Sequence, residues 1–333
     1  MKIIVNACRL LVGAVFVFSG LVKGIDPTGA VYKFTEYFHA FKMSWMDFSA
    51  VFFAFALPSL EFLIGMALVF NVRIRLAAWG ALLFMSVFTP LTLVLALTNP
   101  VSDCGCFGDA VTLTNWQTFW KNIVLLACAI FVFLYRKRFV PAINALFQWV
   151  FIMLSGAFIL SVAFHGRTRL PIIDFRPYAI GTDIPASMRI PEGEEPDQYA
   201  MTLDYRNKQT GEVHTFTEEN YPWQDTLNWE YVSSTEHLVK KGFQPPIHNF
   251  YIEHPLMGDI SEEILANEGY TFLAVARSLD ECDTENQASL NAIARWAKEN
   301  GHAFWGLTAS PPETISRYQR QENVPYEFCM ADD

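Results

Sequence analysis

Residues 76–135 read LAAWGALLFMSVFTPLTLVLALTNPVSDCGCFGDAVTLTNWQTFWKNIVLLACAIFVFLY. Two apolar runs, 76–97 and 116–135, flank a short polar loop with two cysteines one residue apart. A run of about 20 mostly apolar residues is long enough to cross a bilayer as a helix. The stretch is therefore a transmembrane hairpin whose turn carries Asp103-Cys104-Gly105-Cys106-Phe107-Gly108-Asp109. Cysteines at this spacing are seldom needed for packing, and the turn is a candidate for thiol-disulfide chemistry at a membrane surface.

Three further runs lie at 3–22, 48–70 and 146–164, which makes five. The chain is 52% hydrophobic with a mean hydropathy of +0.21, values that place it among membrane proteins. The first run is too long for the core of a signal peptide and no small-x-small cleavage site follows it, so it reads as a retained span. Lysine and arginine in the short loops set the orientation. Lys2 and Arg9 open the first span, Arg73 and Arg75 lie between the second and third, and Arg136, Lys137 and Arg138 follow the fourth. With five spans these clusters share one side, the cytoplasmic one. The N-terminus is then inside a bacterial cytoplasmic membrane, and the Cys-Gly-Cys loop and the C-terminal half face the periplasm. Lys23, Lys33 and Lys42 run against this bias, with Asp26, Glu36 and Asp47 beside them. Residues 31–45 interleave Tyr32, Phe34, Tyr37, Phe38, Phe41 and Trp45 with polar residues. They form either an interfacial amphipathic segment with rings at headgroup depth or a loop packed on the bundle.

The second half is different in kind. From His165 onward there are 28 acidic and 13 basic residues, against 6 and 11 before it. A charge step on a composition step marks a domain boundary. The expected organisation is a membrane bundle over 1–140, with spans 3–22, 48–70, 76–97 and 116–135 as a four-helix core. A fifth span follows within 141–170, then a proline-rich acidic linker over 171–198 and a soluble domain over 199–333. In that domain 199–207 and 212–217 read as a hairpin, with further strands at 229–239 and 249–253. Strands at 270–279, 303–308 and 324–330 then alternate with helices at 287–300 and 312–321. This alternation builds a mostly parallel sheet with helical crossovers. The order resembles the thioredoxin fold, so the expected class is an α-helical membrane bundle followed by an α/β thioredoxin-like domain. In that family a Cys-x-x-Cys pair follows the first long strand. The matching Asp280-Glu281-Cys282-Asp283-Thr284 holds one cysteine among acidic neighbours, which raise a thiol pKa, so the domain lacks the dithiol. A thioredoxin fold would continue beyond Asp333, and a variant or truncated domain is expected.

Cys104 and Cys106 are the leading catalytic candidates. Outside the cytoplasm a disulfide can form and persist. A Cys-x-Cys bridge closes a very small ring, and strained exposed disulfides are labile. A static clasp or two idle thiols are the alternatives. A metal site is not expected: the thiolates with Asp103 or Asp109 lack further ligands nearby, and the seven histidines do not cluster. Glu61 falls near the middle of the second span, just after Pro58. An ionisable residue there is a functional hypothesis by default. It could carry a proton, bind a quinone headgroup, or pair with Lys23 or Lys121. Cys8 and Cys128 are expected as packing residues toward the cytoplasmic side. Cys282 and Cys329, at strand ends on one edge of a thioredoxin-like sheet, are a candidate disulfide. An acidic soluble domain argues against a nucleic-acid partner.

Residues 9–24 (RLLVGAVFVFSGLVKG), 58–61 (PSLE) and 103–108 (DCGCFG) resemble the DoxX/MauE group of helical membrane proteins, a resemblance covering about residues 1–140. The Cys-Gly-Cys-Phe-Gly element is typical of the MauE-like branch. The rest of the chain resembles the periplasmic domain attached to such bundles in Bacteroides-type bacteria. The resemblance implies maturation of disulfide-containing periplasmic enzymes of methylamine use, and for DoxX-like relatives quinone-linked electron transfer. No cofactor motif is visible, so a quinone is implied by resemblance only. The vitamin K epoxide reductase and DsbB groups offer a mechanistic analogy, but their Cys-x-x-Cys within a span is missing here. The expected function is thus a thiol-disulfide or electron relay for envelope proteins, with the bilayer and a periplasmic client or redox partner as partners. A scaffold subunit with a structural Cys-Gly-Cys bridge is an alternative. So is a small-molecule transporter around Glu61, although five spans show no inverted repeat.

Overall fold

The computed structural model describes residues 2–101, 104–141, 143–196, 198–218, 220–240, 242–248 and 250–331. Asp103 and Asp333, which figure in the sequence reading, lie outside the described residues. The chain divides into two compact units, Met1–Ile180 and Gly181–Asp333.

The first unit is helical, as a bilayer requires of segments that must satisfy every backbone polar group internally. It contains α1 (Lys2–Ile25), α2 (Pro27–Ala40), α3 (Ala50–Val69), α4 (Ile74–Thr98), α5 (Asn115–Tyr135) and α6 (Ala145–Thr168). All but α2 fall in segments long and apolar enough to cross a membrane. Helix α1 packs along α3 and against α5, α4 packs on α5 and α3, and α6 lies on α3 and α1. The four-helix core is filled by Val12, Phe16, Leu68, Ala78, Met85 and Leu125 among others. The first unit runs on to Ile180, so the start of the proline-rich stretch belongs with the bundle.

The α1–α3 contact depends on glycine. A Cβ on Gly20 would lie 2.6 Å from the Phe62 nitrogen and the Pro58 carbonyl oxygen, and one on Gly65 would lie 2.6 Å from the Val17 nitrogen. Small residues let backbones approach this closely where no hydrophobic force drives helices together in lipid. Residues 31–45 are mostly helical and docked. Helix α2 starts with Pro27 at its first position, and the Asp26 carboxylate caps it by accepting from the Gly29 N–H at 3.0 Å. It buries Phe38 against Phe34 and Phe53 and leaves Tyr32 exposed.

The second unit holds two sheets. In the first, β1 (Gln198–Asn207) lies between β2 (Val213–Thr217) and β3 (Trp229–Lys240), all antiparallel. The second runs β5-β4-β8-β7-β6, built from β4 (Ile252–His254), β5 (Gly258–Asp259), β6 (Thr271–Val275), β7 (Ala303–Thr308) and β8 (Glu327–Ala331). Strands β6, β7 and β8 are parallel and adjacent in chain order, with crossover helices α7 (Gln287–Glu299) and α8 (Pro312–Gln321) between them. Strand β4 joins β8 antiparallel. Strand β6 is shorter than expected: beyond Val275 the Ala276 N–H still reaches Leu307 O, but Leu279 N–H goes to the Ser310 hydroxyl.

The expected Cys282–Cys329 disulfide is not formed, and both thiols are free. Successive residues of a strand point to opposite faces. Phe328 packs with the cluster that includes Cys282, whereas Cys329 packs on the other face with Ile252, Ile260 and Leu307.

Gly65→Ala should lower the unfolding stability of the detergent-solubilised protein by about 1–3 kcal/mol, the usual range for overpacking. Gly156→Ala, whose Cβ would have its nearest neighbour at 3.8 Å, should not. Thermal unfolding of the two variants side by side checks this.

Candidate functional site

The turn between α4 and α5 has a fixed shape. Gly105 and Gly108 take φ of +57° and +52°, a region where a side chain is strained. Gly108 N–H closes the turn on Gly105 O at 3.1 Å. Two side chains hold the backbone: the Tyr37 hydroxyl donates to Cys104 O at 2.6 Å and the Ser19 hydroxyl to Cys106 O at 2.7 Å. The Phe107 ring meets Phe18 edge-on and lies 4.1 Å from Lys121 Nζ.

This frame presents both sulfurs together. Cys104 Sγ and Cys106 Sγ are 2.8 Å apart, and Cys104 Sγ is 3.2 Å from the hydroxyl of fully buried Thr118. The two thiols are unequal. The Cys106 hydrogen bond, helped by Thr118, the Cys106 backbone and Lys121, outweighs desolvation and pulls the Cys104 thiol down to about 6. Cys106, which shares that bond, loses solvation and faces the Cys104 charge, is pushed well above the usual thiol range. Of the two, Cys104 is the more acidic thiol, and the thiolate is the form that acts as nucleophile.

Glu61 is buried in α3 and meets Lys23 of α1 at 2.5 Å. Of the two lysines that could pair with it, Lys23 is the partner. Both the ion pair and the two thiols line one cavity of about 540 Å³ in the bundle. Lys121 and Asn122 of α5 line it too, and the Asn122 amide donates to the Thr92 hydroxyl at 3.2 Å. The rest of its wall is largely apolar, with Phe16, Phe84, Phe88, Leu91 and Leu125.

Sequence reasoning missed Ser19, Tyr37, Thr118 and Asn122. A signal existed for two of them. Residues 118, 121, 122 and 125 follow the i, i+3, i+4, i+7 spacing of one helix face, and three of them are polar within an apolar span. Tyr37 and Ser19 act through backbone carbonyls of a loop distant in sequence, which leaves no local pattern. Cys8 and Cys128 pack against the bundle core and interact with each other, away from the loop thiols. Cys282 and Cys329 belong to the other unit. Among the described residues, no three His, Cys, Asp or Glu side chains are grouped to hold a metal.

Residues 1–136 match the family model described as methylamine utilisation protein MauE, a DoxX-like membrane family. Residues 199–241 match a family model described as a domain of unknown function, DUF8463. No curated protein and no solved structure matches the chain.

Two outcomes follow from the geometry. Breaking a buried ion pair on one side leaves an uncompensated charge, at about 3–5 kcal/mol. Glu61→Gln should therefore destabilise the bundle markedly, and Lys23→Met added to it should recover part of the loss in thermal unfolding. Because the thiolate is the reacting form, alkylation of Cys104 should accelerate as pH rises through about 6. Cys106 should stay slow until well above the usual thiol range. Site-resolved mass spectrometry of alkylated peptides reads both rates.

Proposed function

We propose that this chain, whose residues 1–136 belong to the MauE family, is a thiol-disulfide relay of the bacterial cytoplasmic membrane serving the maturation of envelope proteins. The observation that supports this best is the pair of sulfurs 2.8 Å apart, with one thiol held down and the other held up, on the wall of a cavity with a buried ion pair. A pair of inert structural thiols has no need of that asymmetry. The loop basic clusters favour the orientation in which the Cys-Gly-Cys turn faces the periplasm.

In the forward direction the client is a dithiol and the pair starts as a disulfide. A client thiolate attacks Cys106 Sγ, the Cys104–Cys106 bond breaks, and Cys104 departs as the thiolate. A thiol of lower pKa is the better leaving group. The second client thiolate attacks the client sulfur of the mixed disulfide, which forms the client disulfide and releases Cys106. Two electrons pass to the pair, Cys106 keeps one proton, and the other is released. The Lys23–Glu61 pair lines the same cavity as the thiols, and we assign it to carry that proton.

Re-oxidation needs a two-electron acceptor, and the DoxX-like resemblance suggests a quinone, which when bound takes up two electrons and two protons. The cavity residues fit such a group: Lys23, Glu61 and Asn122 offer polar contacts, and Phe84, Phe88 and Leu91 an apolar wall. In the second unit, Cys282 stands without a second cysteine beside it in sequence. A thioredoxin-like domain of this kind would hold a client rather than exchange disulfides with it. The family name ties MauE proteins to methylamine utilisation, and a disulfide-containing enzyme of that process is one client class. The clamping of the turn by Tyr37 and Ser19 also suits a second reading, a scaffold subunit with a permanent bridge.

The test is the redox state of Cys104 and Cys106 in native membranes, trapped with a thiol-reactive mass tag before and after graded reductant. A mixed population, re-oxidised in living cells after mild reduction, is expected. A single form that never changes would transfer the lead to the scaffold reading. Replacing both cysteines by serine should also shift the thiol state of envelope proteins.

A further inference from the structure

Three lysines line the cavity of Glu61: Lys23 is bonded to Glu61 and Lys33 to Glu36. Lys121 is left over. Among the described residues no carboxylate pairs with it, and its ammonium rests on the face of the Phe107 ring at 4.1 Å. An ammonium in a membrane-spanning segment is expensive and is expected to face a counter-charge. Lys121 follows Thr118 by three residues on one face of α5, and the Thr118 hydroxyl is on the Cys104 sulfur.

We propose that Lys121 is the counter-ion of the Cys104 thiolate, while the Thr118 hydroxyl on the Cys104 sulfur fixes which of the two cysteines carries the negative charge. Both are positioning residues for the thiol pair. The assignment rests on the relay reading for its purpose, though not for its geometry. The titratable and charged groups that line the cavity with Cys104 include Cys106 and Asp109 on the turn, Lys121 from α5, Lys23 from α1 with Glu61 from α3, Asp26, Lys33, Glu36 and Tyr37 from α2 and its N-cap, and Arg176. Tyr37 bonds the Cys104 carbonyl rather than the sulfur, Lys33 is bonded to Glu36, Arg176 to Asp174, and Lys23 is neutralised by Glu61. That leaves Lys121 as the cation available to the thiolate. The Phe107 ring holds the ammonium by a cation–π contact, so the lysine stays at the thiols rather than extending to the membrane surface.

The consequence is thermodynamic. The half-reaction is disulfide plus two electrons plus one proton giving the Cys104 thiolate and the Cys106 thiol. Stabilising the thiolate stabilises the reduced side and makes the pair a stronger oxidant.

The experiment uses the full-length protein in lipid nanodiscs, equilibrated with reduced and oxidised glutathione, with the oxidised fraction read by mass tagging. Lys121→Gln is expected to move the equilibrium about tenfold toward the disulfide, a fall of ~30 mV. The pH at which Cys104 alkylation is half-maximal should rise with it. Lys121→Arg, which keeps the charge, should restore most of both shifts. Thr118→Val should move both in the same direction by less. No shift in Lys121→Gln, or a shift that arginine does not restore, overturns the assignment. The relay reading fails separately, if the wild-type pair never changes form in living cells.

Discussion

A carboxylate at bilayer depth has to be paired, and the first unit is arranged around the pairing of Glu61 with Lys23. The two residues sit on helices that meet at the glycines of α1 and α3, where a single added methyl group would strike backbone. The ion pair and the close crossing support each other. The crossing brings the ammonium to the carboxylate, and the pair makes any other register of α1 against α3 leave a buried charge alone. Pro58, one turn before Glu61, is buried in the same contact zone.

The same constraint decides what remains for the thiols. With Lys23 committed to Glu61, Lys33 to Glu36 and Arg176 to Asp174, Lys121 stands beside a turn whose backbone is held by Ser19 and Tyr37. The turn has little freedom, since Gly105 and Gly108 occupy left-handed conformations and the turn closes on itself through the Gly108 N–H. The sulfurs are therefore preorganised, and their unequal surroundings separate their acidities. Thr118 touches Cys104 and not Cys106, which is enough to break the symmetry of a three-residue motif.

The spans and the chemistry-bearing turn were legible because both are local: twenty apolar residues announce a helix in lipid, and Cys-Gly-Cys announces itself. Glu61 was legible as an anomaly of polarity, but its partner was not. Lys23 and Lys121 both lie in or beside apolar segments, and only helix packing distinguishes them. The α/β succession of the second unit was readable from its change of period: both helices and the strand at 303–308 fall within a residue of where the pattern put them, whereas β6 ends four residues early and β8 starts three residues late. The Cys282–Cys329 pairing failed for a reason of period two. Both residues were placed at strand ends, but a strand sends neighbours to opposite faces, and Phe328 already occupies the face that Cys282 shares. The docking of α2 was ambiguous because an amphipathic helix reads alike whether its apolar face meets lipid or protein.

Charge counting connects the redox state of the turn to the bundle. With Lys121 assigned to Cys104, two pairs in the cavity wall couple bundle and turn, Lys23 with Glu61 and Lys121 with the thiolate. Oxidation removes the thiolate and with it the charge that Lys121 is assigned to balance. In a medium of low dielectric this is unfavourable. The disulfide form is then the higher-energy one, poised to accept electrons from a client, unless Lys121 gives up its proton or swings toward solvent. A ligand with a partial negative charge on its carbonyl oxygens would relieve the same imbalance from inside the cavity. The polar residues of the spans thus act as one electrostatic unit, in which the lysine that Glu61 does not need sets the oxidising strength of the cysteines.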